Sequence, residues 1–191
     1  MYDDVKKWLK NRLSKEKYIH SIGSEETARN LAKRFDVDPD KAGFAALIHD
    51  NAKCISGNKL LEIVEKNNIP VSEMEKNNIK TLHSPVGAFL AQNELKINDI
   101  EILNAVRYHT VGRVNMSRLE KIVFLSDKIE PYTRNAEFIK KVMLLLDQKN
   151  NLDEAVLLCF NVTISKLLEK RLVINPQTID VWNNIILNLE K

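Results

Sequence analysis

The chain has 191 residues, 44% of them hydrophobic and 29% charged, and a formal net charge of +3. This composition is typical of one folded domain and excludes a disordered chain. Apolar runs such as 44–48 and 142–146 are far too short to cross a bilayer, and residues 1–8 do not resemble a signal peptide. The small net charge is compatible with a phosphate-bearing ligand but does not indicate nucleic acid. We therefore predict one cytoplasmic domain over 1–191, with neither membrane nor nucleic acid as a partner.

Helix-forming patterns follow one another along the whole chain. The predicted helix starts combine a capping residue with a following proline, acidic residue or apolar stripe, and lie at Ser14, Asp38-Pro39, Ser56, Ser84-Pro85, 98–101, 117–120, Asn151 and Asn175-Pro176. No segment alternates with period two for long enough to be a strand. We predict an all-α fold, a single helical bundle of about nine helices. Cys54 and Cys159 lack CxxC spacing and are predicted to be buried, reduced thiols.

The doublet His49-Asp50 is the first candidate for a metal site. It ends the apolar helix predicted over 42–48, where a carboxylate faces the negative end of the helix dipole and is unfavourable unless a cation compensates. Chance supplies a His-Asp doublet in roughly a fifth of similar chains, so the doublet alone is weak evidence. A hydrogen-bonded core histidine beside a loop carboxylate remains the alternative.

Asp127 lies in a largely apolar stretch, 121–130, with Val123 and Phe124 about one helical turn before it. A carboxylate among apolar neighbours is costly unless it has a cation or several hydrogen-bond donors. The alternative to a metal is a buried ion pair with a lysine or arginine.

The other histidines, His20, His83 and His109, also lie on separate predicted helices or helix ends. Each alone is more often a core or loop residue than a ligand. Imidazole together with carboxylate suits first-row divalent ions. Four histidines and two aspartates could fill two adjacent coordination spheres with one carboxylate bridging them; the set is His20, His49, Asp50, His83, His109 and Asp127.

Longer strings around these residues resemble one bacterial family. They are KYIH at 17–20, LIHDNAK at 47–53, LHSPVGA at 82–88, ILNAVRYHTVGR at 102–113, LEKIVFLSDKIEP at 119–131 and NPQTI at 175–179. The ligand order resembles the two-metal branch of the HD superfamily. The strings resemble its symmetrical diadenosine tetraphosphate hydrolases, the YqeK type, over about 14–183. The resemblance implies one HD-domain bundle that cuts the tetraphosphate at its centre to give two ADP.

The resemblance also implies the roles of individual residues. His20, His49, Asp50 and Asp127 would hold one metal, and Asp50 would bridge to a second metal held by His83 and His109. Both metals would be iron, with manganese, cobalt or nickel as alternatives. Asp50, Asp127 and Lys53 would serve catalysis by a metal-activated hydroxide. Predicted substrate contacts are Lys17, His83, His109, Thr110, Arg113, Arg134, Lys170 and Arg171.

Three positions depart from the family pattern: Lys17 replaces an arginine, Arg171 a glycine and Asn175 a histidine. Glu130 could orient Lys53 or Arg134, or could simply end its helix. For Lys53 and the arginines, the alternative is an exposed loop cation. A homodimer is compatible with these patterns, which do not fix the oligomeric state.

Other functions fit part of the pattern. The nearest alternative is another HD phosphohydrolase acting on deoxynucleotides or a cyclic nucleotide. An oxidative di-iron enzyme and a non-catalytic, nucleotide-binding HD signalling domain are more distant, the latter because such domains typically lack some of the ligands.

Overall fold

In the computed structural model, which describes residues 2–189, the chain forms eleven α-helices and no β-strand over that range. The helices are α1 (Tyr2–Lys10), α2 (Lys15–Arg34), α3 (Pro39–Ile48), α4 (Gly57–Lys66), α5 (Glu73–Asn77), α6 (His83–Glu94), α7 (Ile100–Tyr108), α8 (Arg118–Ile129), α9 (Ala136–Lys149), α10 (Leu152–Glu169) and α11 (Pro176–Leu189), with a short 3-10 turn at Ile79–Thr81. The all-α prediction is confirmed, with more helices than the nine expected. None of the described helices is both long enough and apolar enough to cross a membrane.

Side-chain capping sets most of the helix starts. Ser14 accepts a hydrogen bond from the Lys17 amide, Asp38 accepts from two amides of α3, and Ser117 forms a reciprocal capping box with Glu120. Ser56 is the predicted N-cap of α4, but its side chain makes no capping hydrogen bond. The same chemistry forms the five-residue helix α5, which the apolar pattern does not predict, through a capping box that begins at Ser72.

Two predicted helix starts are wrong. Helix α6 begins at His83, so Ser84 and Pro85 lie inside its first turn rather than at its cap. The preceding residue, Leu82, already has helical φ and ψ and carries the 3-10 turn directly into α6. Helix α7 is capped by Asp99, whose side chain accepts from two amides, and not by the residue before it.

The core lies where α2, α3, α7 and α8 pack against one another, with α10 covering α8. Where α10 packs on α8, the rings of Phe124 and Phe160 stack with centroids 4.7 Å apart. A smaller apolar cluster lies beneath α4 and α6 and includes Leu60, Leu82 and Val86. The ends of α3 and α7 and the beginning of α6 therefore meet between the two cores.

The two cysteines differ in environment. Both thiols are free, but Cys159 is buried and Cys54 is exposed. The prediction that both are buried is wrong for Cys54, which lies in the turn between α3 and α4 rather than on a helix face. Burial raises the pKa of the Cys159 thiol to about 12, so it stays protonated at neutral pH.

Replacing Arg171 with glycine is expected to stabilise the fold. Arg171 follows α10 with φ of +52°, and the amides of Arg171 and Leu172 bond to Leu168 and Leu167. This is a Schellman ending, where glycine is favoured because it adopts the left-handed region without strain. Arg171→Gly should raise the free energy of unfolding by about 0.5–1 kcal/mol in urea titration.

The matched control is Lys170→Gly, because Lys170 has a negative φ of −86° and gains nothing from glycine. Equal unfolding free energies for wild type and Arg171→Gly would contradict the assignment of strain to this position.

Candidate metal centre

All six predicted ligands converge at one buried place. His20 lies on α2, His49 and Asp50 directly follow α3, His83 begins α6, His109 follows α7, and Asp127 lies near the end of α8. Each of the six side chains is buried, Asp127 being the most accessible at 6%. Burying four imidazoles and two carboxylates together is unfavourable unless the charges and lone pairs are compensated.

Three imidazole rings are held by backbone carbonyls that lie close to them in sequence. In each, Nδ1 donates to the carbonyl three residues earlier: His49 to Ala46 at 2.6 Å, His83 to Lys80 at 2.7 Å, and His109 to Val106 at 2.7 Å. Since a carbonyl only accepts, Nδ1 carries the proton and Nε2 presents a lone pair. A hydrogen bond of this kind at Nδ1 fixes the ring so that Nε2 can bind a metal.

His20 is oriented by a carboxylate instead. Its Nδ1 lies 3.1 Å from Oε1 of Glu130, which is fully buried and also accepts from the amides of Tyr132 and Thr133. Burial would raise the pKa of Glu130, but donation from the Thr133 hydroxyl and His20 holds it below its usual value. Gly23 makes room, because a Cβ at that position would lie 2.4 Å from Glu130 Oε2.

The sequence offered two interpretations of Glu130, as a partner of Lys53 or Arg134 or simply as the end of the helix, and Glu130 does lie at the C-terminal cap of α8. The structure pairs Glu130 with His20. The sequence did contain a feature that could have linked Glu130 to the ligands. Glu130 is three residues after Asp127, which places both carboxylates near the same end of α8.

The donor atoms form two groups that share Asp50. His20, His49 and Asp50 offer atoms that all lie within 4.8 Å of one another, as do Asp50, His83 and His109. Asp50 turns Oδ2 to the first group, 3.7 Å from His49 Nε2, and Oδ1 to the second. Asp127 adjoins the first group, with Oδ1 3.0 Å from His20 Nε2.

The second group shows most clearly that these residues suit a cation. Asp50 Oδ1 is fully buried and accepts no hydrogen bond, although it lies 3.2 Å from His83 Nε2 and 3.3 Å from His109 Nε2. The two Nε2 atoms are themselves 3.1 Å apart. An unpaired carboxylate oxygen facing two imidazole nitrogens is a donor set that suits a divalent ion.

The protonation states agree with that conclusion. Burial would raise the pKa of Asp50, but the neighbouring His49 and the other histidines hold it well below the usual value. Burial lowers the pKa of His109 to about 3 despite the nearby Asp50. Asp50 is therefore ionised and His109 neutral near pH 7, the forms that bind metal.

Cationic side chains occupy both ends of the cluster. Lys53 Nζ lies 2.9 Å from His83 Nε2 and 3.4 Å from Asp50 Oδ1. At the other end, Arg134 donates to Asp127 Oδ1 at 2.5 Å, and Lys128 contacts the other oxygen of Asp127. The sequence did not single out Lys128.

The hydroxyl of Thr110 also lies at the cluster, 3.2 Å from Nε2 of His83 and 3.1 Å from Nε2 of His109. The structure therefore brings three of the predicted catalytic or substrate contacts, Lys53, Thr110 and Arg134, next to the ligand set.

Four other predicted substrate contacts are not brought to the cluster. Arg113 donates to Glu120 at 2.6 Å, and the Lys17 side chain makes no hydrogen bond or ion pair within residues 2–189. Lys170 and Arg171 are exposed after α10 and make no side-chain contact with the six residues. Their contact with substrate stays a prediction.

The cluster lies inside a recognised family. The HD domain matches residues 18–132, a range that contains all six ligand candidates and Glu130. The chain belongs to the HD-domain family and is an HD-domain hydrolase, as the sequence strings predicted.

Individual relatives cover nearly the whole chain. It is 36% identical over 179 residues to a protein of Halalkalibacterium halodurans named "bis(5'-nucleosyl)-tetraphosphatase, symmetrical", with 94% of each chain covered. A protein of Bacillus subtilis with the same name is 34% identical, with 93% of this chain and 94% of the relative covered. Among solved structures, an HD superfamily hydrolase from Clostridium acetobutylicum, described as involved in NAD metabolism, is similar with a TM-score of 0.93, 34% identity and 98% of each chain covered.

Proposed function

We propose that this chain hydrolyses diadenosine tetraphosphate symmetrically and releases two ADP. The observation that carries the proposal is the position of Asp50, whose two oxygens face two separate groups of imidazole nitrogens. A paired metal site of this kind suits the displacement of one phosphate from another. Relatives that match 93–95% of the chain are named symmetrical bis(5'-nucleosyl)-tetraphosphatases, which supports the same class of substrate.

His20, His49, Asp50 and Asp127 would hold one divalent ion, and Asp50, His83 and His109 would hold a second. When bound, the two ions would lower the pKa of a water molecule and neutralise charge on the phosphoryl oxygens. We propose iron as the native metal; manganese, cobalt and nickel share its preference for imidazole and carboxylate.

The cations around the cluster have a direct role in this proposal. Arg134 contacts Asp127, and Lys53 contacts Asp50. Both cations could therefore reach a phosphate placed over these carboxylates. Arg134 can bind two phosphate oxygens at once through its planar guanidinium. Lys53, at the far end, can stabilise the negative charge that develops on the departing ADP, and Thr110 can donate a hydroxyl to the same oxygens.

We also propose that the protein works in the cytoplasm, since its two cysteines are free in the structure and disulfides are rare there.

The decisive experiment incubates the purified, metal-loaded protein with diadenosine tetraphosphate and separates the products by chromatography. We expect ADP alone, with about two metal ions per folded chain measured by elemental analysis. Release of ATP plus AMP would contradict symmetrical cleavage. Preferred turnover of a deoxynucleotide or cyclic nucleotide would favour a different HD phosphohydrolase. Full activity in metal-free, folded protein would contradict the metal site.

A further inference from the structure

The cluster is elongated, with a distinct group of residues at each end. The imidazole rings follow in the order His20, His49, His109, His83, with successive centroids 5.2, 4.8 and 5.1 Å apart. Asp127 lies beside His20 at one end, and the ammonium of Lys53 lies beside His83 at the other.

An open cleft adjoins each end. The first, of about 300 Å³, is bordered by Lys128, Thr133, Arg134, Phe138 and Lys166, and includes the two cations that contact Asp127. The second, of about 320 Å³, is bordered by Lys53, Ile55, Leu60, Ile79, Lys80 and His83. Both volumes are near the lower end of the range for small-molecule sites, enough for part of a larger ligand.

The second cleft combines two chemistries. Ile55, Leu60 and Ile79 form aliphatic walls, while two lysines, Lys53 and Lys80, supply positive charge at its border. Apolar walls with a few placed polar or charged groups are typical of sites that bind small organic ligands. A nucleoside diphosphate, with an organic base and an anionic end, suits both features.

Two backbone features hold this cleft in shape. A Cβ at position 57 would lie 2.4 Å from a methyl carbon of Ile79, so Gly57 lets Ile79 pack closely against the backbone at this wall. The carbonyl of Lys80 holds the ring of His83, which ties the cleft to the proposed metal site.

We propose that the second cleft, named here the Ile55 cleft, binds one of the two nucleoside diphosphate halves of the substrate. Lys53 and Lys80 contact its phosphates, and Ile55, Leu60 and Ile79 contact its base. This inference rests on the proposed function. A tetraphosphate with a nucleoside at each end must extend both ways from its central bond, and the Ile55 cleft opens at the end of the cluster away from Arg134.

The test counts bound ADP by equilibrium dialysis of the metal-loaded protein. Wild type should bind two ADP per chain, one in each cleft. In Ile55→Trp the larger side chain, at a half-buried position, fills the Ile55 cleft, so this variant should bind only one ADP. Its KM for diadenosine tetraphosphate should rise at least about tenfold. Ile100→Trp is the matched control, because Ile100 is 64% exposed at the start of α7 and does not border this cleft; it should still bind two.

A second variant tests the same cleft independently, in case Ile55→Trp does not fold. The Lys80 side chain is exposed and makes no polar contact, so Lys80→Glu leaves the backbone support of His83 in place. It should weaken the second ADP about tenfold by replacing attraction with repulsion.

Retention of two ADP with unchanged affinity in both variants would overturn the assignment of the Ile55 cleft and leave the proposed reaction intact. Failure of the proposed reaction is seen separately, as wild type that releases no ADP from diadenosine tetraphosphate. ADP counting does not depend on turnover.

Discussion

Asp50→Asn is expected to lower kcat at least about a thousandfold and to reduce bound metal to one ion per chain or fewer. Asp50 is the one residue shared by both donor groups, and its Oδ1 is buried without a hydrogen bond. The asparagine amide keeps the shape but removes the charge and one of the two ligand oxygens. A thousandfold loss corresponds to about 4 kcal/mol of transition-state stabilisation, a size that metal-ion catalysis can supply.

Steady-state kinetics with elemental analysis would measure both effects. Asp147→Asn is the matched control, because Asp147 is an exposed carboxylate paired with Arg34 on the surface, and it should change neither value. Asp50→Asn with two ions per chain and wild-type kcat would contradict the bridging role.

Glu130→Gln is expected to weaken metal binding about 10–100-fold, although Glu130 is not itself a proposed ligand. Its carboxylate orients His20 through Nδ1, and partners of this kind typically contribute that much to affinity. The buried carboxylate also accepts hydrogen bonds from two backbone amides. In glutamine an NH₂ group replaces one of the two oxygens and cannot accept, so the amide or imidazole donor that faces it would lose its partner. We expect a further loss of about 1–3 kcal/mol in the free energy of unfolding.

Competition with a chelator of known affinity would measure metal binding, and urea titration would measure stability. Glu62→Gln, which removes an exposed partner of Lys59, should leave both stability and metal affinity unchanged, because surface ion pairs contribute little. Equal metal affinity in Glu130→Gln and Glu62→Gln would show that Glu130 has only a structural role.

Local sequence patterns predicted the helices well, because capping chemistry acts within a few residues. Ser14, Asp38 and Ser117 cap their helices as expected. The prediction fails at Ser84, where Leu82 enters the helix directly from a 3-10 turn and no extended cap residue is needed. That turn depends on packing beneath α4, which a local pattern does not contain.

The ligand candidates could be found from residue type and flanking strings, because every histidine of the chain is among them. The side chains that hydrogen-bond to these ligands could not be found in this way. Glu130 reaches His20 across 110 positions, and that contact requires the close approach of α2 that Gly23 allows. Arg113 instead pairs with Glu120, which also completes the capping box of α8. Tertiary packing decides which of these partners meet, and the spacing of residues along the sequence does not contain that information.

The hydrogen bonds that orient the four rings also imply an order of assembly during folding. Three rings are fixed by carbonyls only three residues away, so their orientation can arise as soon as each helix end forms. His20 is different, because its partner belongs to a helix far along the chain. The complete site therefore exists only after α2 docks on α8, and an ion that binds it selects the fully folded chain over every partly folded one. Bound metal would therefore stabilise the folded chain, including the packing of α2 against α8.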